Sequence, residues 1–374
     1  MADQQLRALH VVSGDLWAGA EAQVYALLAA MHGRGDVVVA AAILNPGVLA
    51  DRLREAGIEV FAFDESQQSA LQLWRGLRRV MAQWRPDVVH THRQKENILG
   101  ALAAWSLGIP SVRTAHGAAE HAVPWWQLHR LHKRLLAVLD DQLAVRLQRR
   151  VVAVADELAG QLRAALPGAQ VALVNNGIDV AAVRALAAPG LAARPAAPPW
   201  RLAIVGRLVP VKRVDLFIAM ADSLAQHHPG VYEFHVIGAG PLRARLEAAA
   251  GQGAAAESIH FHGFCADVLP LMAGMHALLN TSDHEGLPIT ALEALALDLL
   301  VIARAVGGLV PLLQGNSRAR LIDSSDPAAF ALAVAEVLPA TGRPPITDTA
   351  TLPEAYTLRA SVAAYDTLYA AVQA

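Results

Sequence analysis

Apolar runs of strand length alternate with amphipathic segments along the chain. The run Ala8–Ser13 is followed by the helix-patterned stretch Glu21–Met31, and the alternation then continues. Further predicted strands in the first half are Val37–Ile43, Glu59–Phe63, Val88–His92, Ser111–Ala115, Arg150–Ala155 and Val171–Asn175. Runs rich in valine, alanine and isoleucine are typical of parallel strands that helices cover on both faces. The pattern therefore predicts a doubly wound α/β sheet.

A proline-rich stretch interrupts the pattern, which then starts again. It reads LAARPAAPPW at 191–200, and its prolines can neither continue a helix nor donate a ladder hydrogen bond. The elements predicted after it are the strands Arg201–Val205, Tyr232–Ile237, His260–His262, His276–Asn280 and Val301–Ala303 and the helices Val211–Gln226, Ile289–Leu297 and Leu358–Val372. For a chain of 374 residues we expect two domains, 1–183 and 201–353, joined by a linker over 184–200.

Composition removes several classes of protein. A net charge of −2 and 5% aromatic residues give no support for a nucleic-acid surface. The single cysteine, Cys265, excludes an intrachain disulfide and any site built from several cysteines. No apolar run approaches the roughly 18 residues of a membrane span, and Met1–Gln5 lacks the basic start of an export signal. We therefore expect a cytoplasmic protein.

The most informative segment is Thr281–Ala294, which reads TSDHEGLPITALEA and follows a predicted strand. The carboxyl end of a parallel strand is where α/β sheets bind ligands, and backbone N–H groups at the start of the next helix suit a phosphate. The carboxylates of Glu285 and Glu293 can each accept two hydroxyl hydrogen bonds, as sugar recognition requires. The alternative interpretation is a capped helix that carries a surface acid.

The spacing Glu285–x7–Glu293 within S-D-x-E-G-L-P-x-x-x-L-E-A resembles the signature of glycosyltransferase family 4. Members of that family are retaining, nucleotide-sugar-dependent enzymes of the GT-B fold. The other segments that are similar to the family are GAE at 19–21, DVVHTH at 87–92, HG at 116–117, NGID at 176–179, VGRLVPVKR at 205–213, VIGAGP at 236–241, HGF at 262–264, GG at 307–308 and the helix Tyr356–Tyr369. The resemblance covers nearly the whole chain in order. It implies two Rossmann-like domains facing a central cleft, with the helix 358–372 packing back on the first domain.

The resemblance also implies a role for each site residue. The implied catalytic residues are His116, Glu285, Arg207 and Lys212. The implied donor-binding residues are Gly19, Gly206, Gly263, Phe264, Gly286, Leu287, Thr290 and Glu293. In the family arrangement Arg207 and Lys212 bind the diphosphate of the donor, Glu285 grips the sugar, and Glu293 holds the ribose hydroxyls. His116 helps to position the sugar.

Lys212 carries additional weight because lysine is rare here. Only Lys95, Lys133 and Lys212 are lysines among 31 basic residues, which favours a specific need for lysine at 212. Diphosphate departure builds negative charge, and a nearby cation stabilises it. The alternative for Lys212 is a solvated start of a helix.

The chain departs from the family pattern at two places. Ala18 stands where the family usually has a second glycine, which affects the shape of the first phosphate-facing loop. After Glu293 the family commonly reads A-x-A-C-G-x-P, whereas this chain has Asp298 in place of the glycine and Leu300 in place of the proline. We expect Asp298 to adopt the left-handed conformation that ends a helix.

Metal and dinucleotide sites are weaker alternatives. His90 and His92 form an H-x-H pair that could join His116 around an ion, but no carboxylate or second set of ligands is evident. The chain has no Asp-x-Asp motif, so we expect no obligatory metal and no cofactor. Gly238–Pro241 resembles part of a dinucleotide fingerprint, but Arg243 occupies the place of its third glycine.

The segment 124–150 combines tryptophans, basic residues and leucines at helical spacing. Within it, Trp125–Arg134 suits a helix that lies on an anionic membrane surface, although a helix with one core face and one basic face explains the pattern equally well. We expect that any membrane contact is peripheral, at the inner face.

The function that these patterns predict is a retaining glycosyltransferase. It would move a sugar from a nucleotide diphosphate to a hydroxyl of a glycan or lipid-linked acceptor, in surface polysaccharide or lipopolysaccharide biosynthesis by family frequency. The alternatives are a nucleotide-sugar 2-epimerase of GT-B architecture, a non-enzymatic two-lobed sugar-binding protein and a catalytically silent relative. Base choice among UDP, GDP and ADP stays open.

Overall fold

The computed structural model describes residues 5–15, 17, 19–117, 131–341 and 352–373, without the side chains of 131–134. Internal contacts divide the chain into two units, one of Met1–Gly177 with Leu358–Ala374 and one of Ile178–Thr357. Each unit contains one sheet, and every strand pair in both sheets is parallel. The predicted α/β class with two parallel-sheet domains is therefore confirmed.

The sheet of the first unit has seven strands in the order β3-β2-β1-β4-β5-β6-β7. The strands are β1 Leu6–Ser13, β2 Val37–Leu44, β3 Glu59–Phe63, β4 Val88–Thr91, β5 Ser111–Ala115, β6 Gln148–Ala153 and β7 Val171–Leu173. The helices are α1 Gly19–Arg34, α2 Val48–Glu55, α3 Ala70–Trp84, α4 Gln94–Trp105, α5 Leu131–Arg146 and α6 Asp156–Ala165, together with the last helix of the chain, α14 Leu358–Gln373. The strand order reverses between β1 and β4, and this is the switch point at which such sheets bind ligands.

Alternation along the strands gives the first sheet two different faces. On one face, Ala8 and Val12 pack with α1, α2 and α14, and on the other Leu9 and Val11 pack with α3 and α4. The C-terminal helix thus belongs to the first unit, where Arg34 of α1 binds Asp366 through two hydrogen bonds of 2.8 and 3.0 Å.

The sheet of the second unit has six strands in the order β10-β9-β8-β11-β12-β13. The strands are β8 Trp200–Val205, β9 Tyr232–Ile237, β10 Ile259–Gly263, β11 Ala277–Asn280, β12 Leu300–Arg304 and β13 Ala319–Ile322. The helices are α7 Val180–Ala193, α8 Val214–His227, α9 Arg243–Ala250, α10 Leu269–Ala273, α11 Ile289–Ala296, α12 Leu309–Leu313 and α13 Pro327–Val337. Here the strand order reverses between β8 and β11. The short strand β13 was not predicted, because its four residues carry no periodic signal of useful length.

The predicted linker over 184–200 needs correction. Its first ten residues belong to α7, and the second unit already begins at Ile178. Helix α7 packs against α10 so closely that a Cβ on Gly190 would lie 1.9 Å from the carbonyl oxygen of Pro270. Arg194 at the end of α7 donates to the carbonyl oxygens of Ala273 and Leu297, at 2.8 and 2.9 Å. These contacts hold α7 against the second unit in spite of the proline at 189 inside the helix, whereas the linker was predicted from the prolines of 191–200.

Candidate functional site

A polar pocket lies at the carboxyl edge of the second sheet, at the switch point between β8 and β11. The loop after β8 and the loop after β11 form its walls, and helix α11 contributes Thr290. The lining residues are Ile204, Val205, Gly206, Arg207, Leu208, Lys212, Val214, Leu279, Asn280, Ser282 and Thr290. Four of the residues that the sequence predicted for the donor site are thereby brought together: Gly206, Arg207, Lys212 and Thr290.

Glu285 is the acceptor of a dense set of hydrogen bonds in the loop after β11. Its Oε1 atom accepts from Lys212 Nζ at 2.6 Å, from Ser282 Oγ at 2.6 Å and from Asn280 Nδ2 at 3.0 Å. Only 9% of the Glu285 side chain is exposed, so these bonds hold the carboxylate in one orientation. Among the described residues all three bonds use Oε1, which leaves Oε2 to accept from a ligand hydroxyl.

Lys212 ends a short 3₁₀ turn, Pro210–Lys212, in the loop after β8. Thr281 Oγ1 donates to the carbonyl oxygens of Lys212 and Arg213, both at 2.9 Å, and this anchors the turn to the loop after β11. An ammonium group has three N–H donors, and the bond to Glu285 uses one of them. The anchored turn therefore presents a positioned cation to the pocket.

Arg207 and Arg213 have different surroundings. Arg207 is exposed at the pocket, and within the described part of the chain its guanidinium forms no hydrogen bond or ion pair. Arg213 instead binds Asp215 at 3.1 Å and Asp283 at 3.4 Å, which neutralises its charge. Of these two arginines, Arg207 is therefore the one available to an incoming anion.

The glycines of the predicted motifs allow loops to approach each other closely. Gly238 has φ +141°, and a Cβ there would lie 1.9 Å from the carbonyl oxygen of Gly206. A Cβ on Gly307 would likewise lie 1.9 Å from the carbonyl oxygen of Glu285, while Gly308 N donates to Gly286 O at 2.7 Å. The G-x-G and G-G motifs thus fix the backbones of the two ligand-facing loops, because any side chain there would push the loops apart.

Glu293 lies inside α11, eight residues after Glu285, and burial raises its pKa to about 7. Among the described residues it makes no hydrogen bond. A carboxyl group that is not committed to a protein partner has, once ionised, both oxygens available to hydroxyl groups.

The remaining predicted donor residues, except Gly19, lie on the same edge of the second sheet or beside it. Gly263 ends β10 with φ +75°, and the exposed Phe264 follows it. Gly286 and the buried Leu287 lie in the loop before α11. Gly19 belongs to the first unit, where it begins α1, and Ala18 lies outside the described residues.

His116 directly follows β5 in the first unit. Burial, assisted by the positive charge of Arg93, lowers the pKa of His116 to about 4, so the ring is neutral at physiological pH. Its Nε2 lies 3.2 Å from His92 Nδ1, and among the described residues its buried Nδ1 has no hydrogen-bond partner.

Some polar residues of these two edges were not predicted. Asn280 and Ser282 bind Glu285, yet the sequence showed them only as a strand end and part of a motif. In the first unit Arg93 forms an ion pair with the buried Glu21. No spacing rule links residues 21 and 93, because only the adjacent positions of β1 and β4 in the sheet bring them together.

The predicted H-x-H metal alternative changes its membership in the structure. Within the part of the chain that the structure describes, His10, His90 and His92 lie close enough to share an ion, whereas His116 is hydrogen-bonded to His92 alone of these three. The segment Trp125–Arg134 lies outside the residues whose side chains are described. Among the described residues no helix has both the length and the apolar character needed to cross a bilayer.

Two doubly wound sheets with polar residues at the carboxyl edge define the class of this protein, and comparisons with known proteins identify its family. The model described as Glycosyltransferase Family 4 matches residues 17–182, and the model described as Glycosyl transferases group 1 matches residues 199–339. The structure of HepE from Anabaena in complex with UDP-glucose aligns with a TM-score of 0.75 over 98% of this chain and 100% of that one, at 19% identity. The chain belongs to glycosyltransferase family 4 and has the GT-B type of fold.

Two curated relatives show moderate sequence identity. The D-inositol 3-phosphate glycosyltransferase of Salinispora arenicola is 31% identical over 284 residues, which cover 68% of this chain and 62% of that protein. The 2-deoxystreptamine N-acetyl-D-glucosaminyltransferase of Streptomyces fradiae is 31% identical over 273 residues, which cover 68% and 63%. The chain thus spans less than two thirds of the length of these relatives.

Proposed function

We propose that this protein is a retaining glycosyltransferase that takes a nucleotide sugar as donor. The observation that supports the proposal is the set of contacts among Lys212, Glu285 and Asn280 at the switch point of the second sheet. Beside them lies Arg207, whose guanidinium has no partner among the residues that the structure describes. A diphosphate needs positioned cations, and a sugar needs a positioned carboxylate. This pocket supplies both, and the match of the chain to family 4 supports the same interpretation.

Each residue of the pocket has a defined task in the reaction. The bond from the sugar C1 to the diphosphate breaks, the acceptor oxygen forms a bond to C1 on the same face, and the hydroxyl proton passes to the departing diphosphate. Lys212 and Arg207 stabilise the charge that grows on that diphosphate. Glu285 orients Lys212 through Oε1 and accepts a sugar hydroxyl through Oε2, and Glu293 accepts the ribose hydroxyls.

Two cations at the diphosphate also make an obligatory divalent metal unnecessary. Lys212 is a point charge and Arg207 a planar fork with several donors, so together they can meet both phosphates. We propose that the reaction proceeds without added metal or cofactor. An unchanged rate in the presence of a chelator would agree with this, and loss of transfer that Mg²⁺ restores would contradict it.

The acceptor site belongs to the first unit in this proposal. A pocket of about 330 Å³ lies there, lined by Ser13, Asp15, Glu65, Arg93, Gln94, Lys95 and Glu96. These polar and charged side chains offer many hydrogen-bond donors and acceptors, which suits an acceptor with several hydroxyl groups, such as a glycan. The relatives named for D-inositol 3-phosphate and 2-deoxystreptamine also act on rings with several hydroxyl groups.

Peripheral membrane contact is a second part of the proposal. Helix α5 exposes a cluster of large apolar side chains, with Leu135 63% and Val138 59% exposed, beside Leu136 and Leu139. This cluster directly follows the basic, tryptophan-containing segment Trp125–Arg134 in the sequence. Anionic liposomes should therefore carry the protein upward in a flotation gradient at low salt, and Leu135→Gln should reduce the floated fraction. Equal flotation by neutral and anionic liposomes, or none by either, would end this part of the proposal.

The transfer assay separates the enzyme classes. Donor nucleotide sugars are incubated with and without a panel of glycan acceptors, and the anomeric configuration of the product is read by NMR. We expect nucleoside diphosphate release that depends on acceptor, with retention at C1, and loss of release in Arg207→Ala. The matched control is Arg245→Ala, an exposed arginine of α9 that makes no ion pair or hydrogen bond among the described residues. Conversion of the donor alone at C2 would indicate an epimerase, and binding without turnover a sugar-binding protein.

A further inference from the structure

A continuous chain of buried hydrogen bonds starts at His116 and runs under the first sheet to the C-terminal helix. The bonds join His116 Nε2 to His92 Nδ1 at 3.2 Å, His92 Nε2 to His10 Nδ1 at 2.9 Å, His10 Nε2 to Tyr369 Oη at 3.1 Å, and Tyr369 Oη to His90 Nδ1 at 2.7 Å. It continues from His90 Nε2 to Thr114 Oγ1 at 2.7 Å and ends at Tyr365 Oη, 3.0 Å further.

The topology of the sheet explains why these residues meet. His10 of β1 and His90 of β4 are register partners at the switch point, and Thr114 of β5 lies on the next strand. Even-numbered positions of these strands face α14, which contributes Tyr365 and Tyr369 one turn apart. A row of polar side chains thus crosses three strands on a face that is otherwise apolar.

The four histidines of this hydrogen-bond chain are all neutral at physiological pH. Burial lowers the pKa of His10 to about 3 and of His116 to about 4, and it lowers the pKa of His90 and His92 well below the ordinary value. A neutral imidazole carries one ring proton, so it donates at one nitrogen and accepts at the other. Consequently each hydrogen bond in the chain fixes the direction of the next.

Only two directions satisfy every bond between His116 and Tyr369. In the first, every histidine carries its proton on Nε2, and Nδ1 of His116 presents a lone pair. In the second, every proton is on Nδ1, and His116 holds an N–H that is buried without an acceptor among the described residues. A buried N–H without a partner is rare and costly, so the first direction is favoured.

Two other roles fit the chain less well. Coordination of an ion by His10, His90 and His92 conflicts with the stacking of His90 on His92, whose ring centroids lie 4.3 Å apart at 26°, because stacked rings direct their lone pairs along separate parallel planes. The His10–His92 nitrogens, 2.9 Å apart, are also closer than the roughly 3.3 Å that two ligands of a tetrahedral zinc ion keep. A proton conduit would need an exit, whereas the chain ends at the fully buried hydroxyl of Tyr365.

We propose that His10, His92 and Tyr369 are positioning residues that set the tautomer and ring orientation of His116, so that its Nδ1 accepts a hydrogen bond from a hydroxyl of the substrate. The part that concerns substrate rests on the proposed glycosyl transfer. The part that concerns the tautomer stands on the hydrogen-bond chain alone. Tyr369 thereby links the C-terminal helix to a ligand-facing edge of the first unit.

The test is NMR of the imidazole nitrogens in the full chain labelled with ¹⁵N-histidine, with His116 assigned through His116→Gln. In the native protein we expect His10, His90, His92 and His116 all to be neutral with the proton on Nε2. Tyr369→Phe removes the acceptor of His10 Nε2–H, so each direction of the chain then leaves one buried N–H unpaired, and we expect His10, His92 and His116 to lose the single Nε2 form and show both tautomers. Mixed tautomers among the four rings of the native protein would overturn the proposal, as would one equivalent of tightly bound zinc.

Tyr365→Phe is the matched control, since it removes the same kind of hydroxyl one helical turn away, at the far end of the hydrogen-bond chain. We expect this variant to keep the native tautomers, and a shift equal to that in Tyr369→Phe would mean that only packing matters. If the protein transfers sugar, Tyr369→Phe should also lower kcat about tenfold with little change in donor KM, through loss of one hydrogen bond at the reacting substrate. Because the tautomer is read without substrate, failure of the transfer assay leaves this result interpretable.

Discussion

Protonation of Glu293 should control nucleotide affinity. Partial burial in α11 raises the pKa of Glu293 to about 7, well above that of an ordinary glutamate. Only its ionised form can accept two ribose hydroxyls, so binding competes with a proton. From a pKa of about 7, roughly one eleventh of the protein is ionised at pH 6 and ten elevenths at pH 8. The dissociation constant should therefore be about tenfold smaller at pH 8, a difference of about 1.4 kcal/mol.

Isothermal titration calorimetry with a nucleotide sugar measures this dependence. A nucleotide sugar is a better probe than a free nucleoside diphosphate, because its diphosphate has no terminal ionisation in this range. Binding at pH 6 should also release about one proton from Glu293. This release appears as a heat of binding that depends on the ionisation enthalpy of the buffer. The direction is fixed: affinity rises with pH.

Glu293→Gln is the control for this titration, since the amide keeps the size of the side chain and cannot ionise. We expect this variant to bind with an affinity that is the same at both pH values and near that of the native protein at pH 6. An equal affinity at pH 6 and 8 in the native protein would refute the assigned role. The same slope in Glu293→Gln would assign the proton to another group.

Three further predictions concern turnover and stability. Lys212→Ala should lower kcat about 10²–10³-fold in a transfer assay, because the departing diphosphate loses a positioned cation; a rate within threefold of native would exclude that role. Asp140→Ala should lower the free energy of unfolding by about 3–5 kcal/mol in urea denaturation, since it strands the charge of Arg113 in a pair that is 1% exposed on both sides. Gly238→Ala should lower Tm by several degrees, because its Cβ would collide with the carbonyl of Gly206, and an unchanged Tm would show that the two loops can separate freely.

The hydrophobic pattern predicted most of the strands, because the strands of a parallel sheet covered on both faces are continuous apolar runs. Glu59–Phe63, Ser111–Ala115 and Tyr232–Ile237 match the predicted strands at both ends. Asp298 adopts φ +57° after α11, as its place in the family pattern predicted. The helix α7 was misassigned because local proline content cannot reveal the tertiary contacts that Gly190 and neighbouring residues make with α10.

The site was predictable where a motif is continuous in sequence and not where the sheet assembles it. Lys212 and Glu285 stand in local motifs that follow β8 and β11, so their meeting at one edge follows from the topology. The bonds from Ser282 and Asn280 to Glu285 depend on the shape of one loop, which spacing does not encode. The hydrogen bond of His10 to Tyr369 was the hardest contact to predict, because it joins residues at the two ends of the polypeptide.

The central claim is that the second unit binds a nucleotide sugar through Lys212 and its neighbours. A thermal-shift panel of UDP-, GDP- and ADP-sugars tests it most directly, with the native protein beside Lys212→Ala. Ligand at about 100 times its dissociation constant stabilises the folded state by about 2.7 kcal/mol, which corresponds to a rise in Tm of roughly 5–10 °C for a unit of this size. We predict such a rise for at least one nucleotide sugar with the native protein and a much smaller one with Lys212→Ala. No shift with any of them at millimolar concentration, or equal shifts in both proteins, would contradict the account.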